Sequence, residues 1–412
     1  MRALALDGGT PVRTAPLDPR RGLTRFGAAE QEAVREVLES RSLFRYYGPD
    51  LRHKVDGFER DAATFLGARH CLALSSGTAA LRAGLAALGV GPGDEVVVPA
   101  VTFIATANAV VVSGAVPVFC EVDSSLGLDP THLAELLTER TAAVIPVHLE
   151  NVVGDMAGVL AAAGQTPVLE DACQAMGASY RGKAAGTLGA MGAYSLQLEK
   201  NITAGEGGAL VTDDPALHHR AARYSDQGGQ FVTARGGIRG DGEAFVGENL
   251  RMTEIAGALA GVQLGRLPGL LDDMRAAKAK VAAMVGPRGG MEPRWVPDPD
   301  GDGGSSLAWY LPDGDLAARF VAALLAEGAP ASRVYDGRPV YANRAYLERL
   351  TVTSKRSPWA HHPVEVTYRM GMCPRSEDLA ARAVIVPLGP SWSAADLEDV
   401  ATAVTKVADA LL

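Results

Sequence analysis

CLALSSGTAALRAGLAALGVGPGDEVVVPA, residues 71–100, contains two buried-strand patterns joined by a helix pattern and a tight turn. CLALS is a short apolar run without polar alternation, as expected of a strand covered on both faces. GTAALRAGLAALG (77–89) carries small and branched apolar residues at helical spacing, and GPGD turns the chain into EVVVPA (95–100). A strand, a helix and a second strand in that order make a parallel βαβ unit. The alternation continues downstream. Helices are expected over 104–113, 131–137 and 155–163, and strands at VPVFCEV (116–122), AAVIPV (142–147) and PVLED (167–171). Past Gly186 the strand-like pieces shorten to AYSL (193–196) and ALVT (209–212). Upstream, helices fit 28–40 and 54–66, where Val55, Phe58, Ala62, Phe65 and Leu66 share a face.

A long helical region beginning near Met252 reads as the junction to a smaller domain. Residues 286–306 form a Gly-, Pro- and Asp-rich exposed loop, and 307–412 read as an α/β unit with helices at 315–327 and 394–412. The expected organisation is an α/β protein with a large domain over 1–267 and a small C-terminal domain over 268–412. The large domain carries a mostly parallel central sheet flanked by helices.

The composition narrows the function. The chain has 412 residues, 47% hydrophobic and 21% charged, with 39 Lys+Arg against 48 Asp+Glu for a net charge of -9. That balance gives no electrostatic reason to expect nucleic acid or an anionic membrane as partner, so a bound phosphate must be held locally. Cys71, Cys120, Cys173 and Cys373 lie far apart with no CxxC pair, which favours reduced thiols over a disulfide framework or zinc. The N-terminus lacks signal-peptide features, and no run reaches the ~18 apolar residues of a membrane span. A cytoplasmic location is expected.

Four segments carry candidate chemistry. In SLQLEKNITAGEGGALVT (195–212), Lys200 follows a strand-like run and precedes the turn GEGG (205–208). A lysine beside such a turn can form a Schiff base if its amine is accessible and partly deprotonated, although a surface lysine fits the same spacing. SSGTAAL (75–81) places Ser76, Gly77 and Thr78 at a helix N-terminus, where free amides suit a phosphate; an ordinary N-cap reads the same way. PVLED ends in Asp171, with Gln174 three residues on, at a strand edge suited to a ligand or to capping a turn. PAVTFIATAN (99–108) puts Phe103 just after a strand, as a face for a flat cofactor or as a core residue.

Together and in this order, SSGTAAL, GPGDEVVVPAVTFIATANAV, EDACQAMGASY, SLQLEKNITAGEGGALVT and GENLRMTEIAGALAGVQL resemble the DegT/DnrJ/EryC1/StrS family of sugar and cyclitol aminotransferases, which are pyridoxal 5′-phosphate (PLP) enzymes of fold type I. The resemblance runs from about Phe44 to Leu267 and more weakly through CPRSEDLAARAVIV (373–386). It implies that Lys200 carries the PLP and shuttles a proton, and that Asp171 pairs with the pyridine nitrogen. It implies also that Gln174 lies near the phenolic oxygen and that Phe103 stacks on the ring. Gly77, Thr78 and Ser195 match phosphate contacts, with Ser76 beside them. Asn249 matches a phosphate contact donated across a homodimer. The implied reaction moves an amino group from L-glutamine or L-glutamate to a keto-sugar or keto-cyclitol, as in amino-sugar or antibiotic biosynthesis.

Two departures bear on the substrate. The run before the lysine is SLQLEK where the family often has SFHxTK, and this glutamine resembles the branch that aminates cyclitols and aminohydroxybenzoate-type rings. PVHLENVVGDM (146–156) replaces a Gly-ended turn near the substrate, making His148 and Glu150 candidate substrate contacts. FRYYGPD (44–50) adds Arg45, Tyr46 and Tyr47 as candidates, although exposed aromatic packing explains that run equally well. No metal is expected. DPDGDGG (298–304) begins like a calcium loop, but Trp309 stands where the bidentate Glu belongs, and His361 and His362 are adjacent. The alternatives are another PLP reaction on this fold (decarboxylation, elimination, oxidation or carbon–carbon bond formation) or a non-catalytic PLP-binding regulator.

Overall fold

The computed structural model describes residues 3–229 and 245–412. Seven strands form the central sheet: β1 (His70–Leu74), β2 (Glu95–Pro99), β3 (Val116–Cys120), β4 (Thr141–Val144), β5 (Leu169–Asp171), β6 (Met191–Ser195) and β7 (Gly208–Thr212). Ladders give the orders β3-β2-β4 and β5-β6-β7-β1, and parallel bridges Val144–Val168 and Val147–Asp171 join β4 to β5. β7 runs antiparallel to both of its neighbours, and the other six strands are parallel to one another. The expected α/β architecture with a mostly parallel sheet is present.

The strand sequences explain why this sheet is an inner layer. Along β1, Cys71 and Ala73 enter one apolar cluster while Leu72 and Leu74 enter the cluster on the opposite face. In β2, Val97 faces the first side and Val96 and Val98 the second, and all three are fully buried. Each such side chain contributes about 1.5–3 kcal/mol by leaving water, so both faces must be covered. Helices α1 (Ala28–Ser40) and α2 (Lys54–Leu66) match their expected bounds. Helix α3 (Gly77–Leu88) lies on the second face and is followed by α4 (Ile104–Val112), α5 (Pro130–Leu136), α6 (Met156–Ala163) and α7 (Pro215–Tyr224).

Helix α8 (Glu254–Val285) runs unbroken through Leu267, so the expected domain division falls inside one helix. Its Leu264, Leu267 and Leu271 pack in the large-domain core, whereas Ala277, Val281 and Val285 pack in a C-terminal core with Leu4, Phe320 and Val404. That second core lies on a small antiparallel sheet of β8 (Glu292–Pro293), β9 (Ser306–Tyr310), β10 (Ser332–Arg333) and β11 (Ala383–Pro387), in the order β8-β9-β11-β10. Residues of the C-terminal stretch also return to the large domain: Tyr341, Tyr346 and Tyr368 surround Phe119 of β3 with ring centroids 5.1–5.6 Å away. No described helix is long and apolar enough to cross a membrane.

Candidate active site

The strand pairing fixes where the site lies. Gly208 pairs with Leu74 of β1 on one side and Ser195 of β6 on the other, bringing together the ends of both strands and the start of α3. A Cβ on Gly208 would stand 2.2 Å from the carbonyl oxygen of Ser76, so this approach requires glycine. Gly77 is pressed similarly, with an added Cβ 2.8 Å from Cys173 Sγ. Ser76 caps α3 by accepting from the Ala79 amide at 3.0 Å, which leaves the first-turn amides of Gly77 and Thr78 outside the helix ladder.

A cavity of about 590 Å³ opens at this edge. Among the sequence-predicted residues, Ser76, Gly77, Thr78, Phe103, Glu150, Asp171, Gln174, Ser195 and Lys200 all line it. Asp171 is buried at the end of β5. One of its carboxylate oxygens accepts from Thr106 Oγ1 at 2.7 Å and the other from the Cys173 amide at 3.1 Å. Phe103 is the N-cap residue of α4 and is more than half exposed.

Lys200 sits in the turn after β6 on a backbone pinned from both sides. Its amide donates to Gln197 O at 3.0 Å, and its carbonyl accepts from Gly22 at 3.1 Å. The next residue, Asn201, is buried and donates to Asn151 Oδ1 (2.6 Å) and Met176 O (2.7 Å), while Asn151 donates back at 3.2 Å. The PVHLENVVGDM turn therefore holds the lysine-bearing turn. It does so at the cost of two consecutive left-handed residues, Glu150 (φ 52) and Asn151 (φ 59).

Gln174 joins three segments. Its Oε1 accepts from the Glu150 amide at 3.2 Å, and its Nε2 donates to the Tyr335 hydroxyl at 3.0 Å. The Glu150 carboxylate accepts from Arg21 Nη2 at 3.2 Å. Tyr335, with Ser332, Arg333, Val334 and Ile385, brings one end of the small antiparallel sheet to the cavity. Burial pushes the Tyr335 phenol up, so it stays protonated, and burial likewise raises the Cys173 thiol well above its ordinary value.

Five expected residues do not line this cavity. His148 is fully buried: its Nε2 lies 2.9 Å from Glu170, whose carboxylate also accepts from the Gly186, Leu188 and Gly189 amides. That is a core position and corrects its reading as a substrate contact. Arg45 is buried in ion pairs with Asp56 (2.9 Å) and Glu59 (2.7 Å). Tyr46 and Tyr47 pack edge-on against Phe44, with centroids 5.5 and 4.8 Å away. Asn249 is exposed and lies on a bridge to Asp226. Thr106, Arg21, Arg333 and Tyr335 are not among the residues that the motifs single out. Thr106, one helical turn from Thr102 in the quoted PAVTFIATAN, had a signal in the sequence, whereas the two-residue β10 offered none.

The profile of the DegT/DnrJ/EryC1/StrS aminotransferase family matches residues 25–405. The L-glutamine:2-deoxy-scyllo-inosose aminotransferase of Streptomyces paromomycinus is 34% identical, over 98% of this chain and 97% of its own length. The protein of the same name from Streptomyces fradiae is also 34% identical, over 98% and 97%. Among solved structures, 3-amino-5-hydroxybenzoic acid synthase superposes with a TM-score of 0.82 at 27% identity, covering 96% of this chain and 100% of that one. DesV of S. venezuelae gives 0.80 at 29%, covering 97% and 99%. A lysine turn, a buried carboxylate and an open helix start around one cavity, with a match across nearly the whole chain, place the protein in the DegT/DnrJ/EryC1/StrS aminotransferase family.

Proposed function

We propose that this protein transfers the amino group of L-glutamine to a keto-cyclitol, with PLP carried on Lys200. The observation that carries this reading is the meeting of Lys200, Asp171 and the open start of α3 in one cavity. The donor set fits the cofactor: first-turn amides outside the helix ladder and Ser195 for a phosphate, a buried carboxylate for a ring nitrogen, and the exposed face of Phe103 for a flat ring. When bound, the group supplies an electron sink for loss of an α-proton. Asp171, oriented by Thr106 and the Cys173 amide, is the residue that holds a proton on the ring nitrogen. Lys200 Nζ takes the α-proton of the donor and returns one later as acid. Its pinned backbone keeps that amine within reach in both roles.

The relatives named for 2-deoxy-scyllo-inosose support a ring ketone as acceptor and L-glutamine as donor. A polyol acceptor also suits the wall formed by Gln174, Glu150 and the Tyr335 hydroxyl. The assembly that fits is a homodimer in which the exposed Asn249 of each chain reaches the phosphate in the opposite cavity. An aminocyclitol pathway of antibiotic type, running in the cytoplasm, would use such an enzyme.

The test is the visible absorbance of the purified protein with and without L-glutamine, in the absence of acceptor. The wild-type band is expected to disappear as one equivalent of the matching 2-keto acid is released per site. Lys200→Ala is expected to lose the band of the covalently held cofactor and all measurable transfer. A wild-type protein that keeps its band with L-glutamine and L-glutamate would overturn the proposal.

A further inference from the structure

Six charged residues line the cavity: Asp171, Glu150, Glu199, Glu206, Lys200 and Arg333. Four are acids, and Glu150 already has Arg21 as partner. Lys200 is committed to the cofactor in the proposed reaction. Arg333 is half-buried and has neither a carboxylate nor any hydrogen-bond acceptor as partner among the described residues. A guanidinium in a half-enclosed cavity with its fork of donors unused is prepared for an anion that arrives with a ligand.

The surroundings hold it there. Arg333 pairs with Val384 in the β10–β11 ladder, and the next residue, Val334, is buried in an apolar cluster. Gly337, at φ +75, makes room for the head group, since a Cβ there would stand 2.8 Å from Arg333 Nη1. Two residues on, Tyr335 is tied to Gln174. This segment of the C-terminal domain is thereby fixed to the wall that holds Asp171 and Gln174.

We infer that Arg333 is the binding site for the α-carboxylate of the amino donor. This rests on the transamination proposed above. Both substrates of such a reaction use one cavity in turn. The α-amino acid brings a carboxylate beside its reacting carbon, and a keto-cyclitol brings none. A cation in this cavity therefore selects the donor and leaves a neutral acceptor indifferent.

The experiment is a titration of the donor half-reaction, followed by loss of the visible band, with two probes: L-glutamine and L-glutamine α-amide, which keeps the amine and lacks the α-carboxylate. The wild type is expected to need roughly 10- to 100-fold more of the amide for half-saturation, the range of a charge-assisted hydrogen bond. Arg333→Met should raise the requirement for L-glutamine by a similar factor and leave that for the amide and the KM of the acceptor unchanged. Arg333→Lys should recover part of the loss through its point charge. A wild type that uses both probes alike overturns the inference without any variant. So does an Arg333→Met protein, with full cofactor content, that titrates with L-glutamine like the wild type or is impaired only toward the acceptor. A wild type that reacts with no α-amino acid overturns both this inference and the proposed function.

Discussion

In the proposed reaction Asp171 depends on Thr106 for its orientation. The hydroxyl of Thr106 is fully buried, donates to Asp171 at 2.7 Å and lies 2.8 Å from Thr102 Oγ1, so it holds one carboxylate oxygen while the Cys173 amide holds the other. Thr106→Val keeps the shape and removes the hydrogen bond. A hydrogen bond to a charged group contributes about 1.5–3 kcal/mol, so kcat should fall by about ten-fold or more while the fold is retained. Steady-state kinetics with matched cofactor content would check this, and an unchanged kcat would show that Asp171 needs no such support. The opposite lesson comes from His148. A histidine just after a strand read as a ligand contact, but its partner Glu170 is an acid inside the apolar string PVLED. Only the folded chain shows three amides converging on that acid.

Among the elements, the crossing of β1, β6 and β7 at Gly208 is the most constrained point near the site. Gly208→Ala would press a methyl into the backbone at Ser76 and Gly77, with contacts of 2.2–2.7 Å, where no flexible side chain can yield. The start of α3 must then shift. We expect the dissociation constant for PLP to rise at least about ten-fold, together with a lower melting temperature. Gly261→Ala in α8 is the matched control, because its added methyl meets nothing within 4 Å. Wild-type cofactor affinity in Gly208→Ala would mean that this crossing does not shape the phosphate site. The regular elements were legible for a physical reason: β1 and β2 bury both faces and α1 and α2 bury one, and each leaves its period in the sequence. The segment carrying Arg333 and Tyr335 left no such trace. Its strand is two residues long, and its turn puts Tyr335 (φ 44) and Asp336 (φ 56) in left-handed conformations without a glycine at either position.

For the molecule as a whole, one stability prediction follows from α7. His218 stacks on His70 with centroids 4.8 Å apart, and burial, with the neighbouring His70 and His219, lowers its pKa from 6.5 to about 4. The fold therefore favours neutral His218. This stabilisation is fully present above pH 6.5 and is lost progressively as pH falls toward 4, because the unfolded chain takes up the proton first. Over the whole window the effect is of order 3 kcal/mol, of which about 2 kcal/mol is lost by pH 5. His218→Phe should flatten the decline in melting temperature between pH 7 and pH 5, and an unchanged slope would assign the acid sensitivity elsewhere.

Helix α8 spans 32 residues, about 48 Å of continuous rod, with one end rooted in each core. Proline at position 268 removes one rung from its hydrogen-bond ladder, opposite the carbonyl of Leu264. A shaft with a single weakened rung does not bend evenly. Any change in angle between the β10 segment and the lysine turn concentrates its flexure at that rung, and the beam on either side moves as a stiff arm. Were the two cores to turn against each other, the flexure would therefore fall at one joint among the large-core leucines, far from the residues that line the cavity.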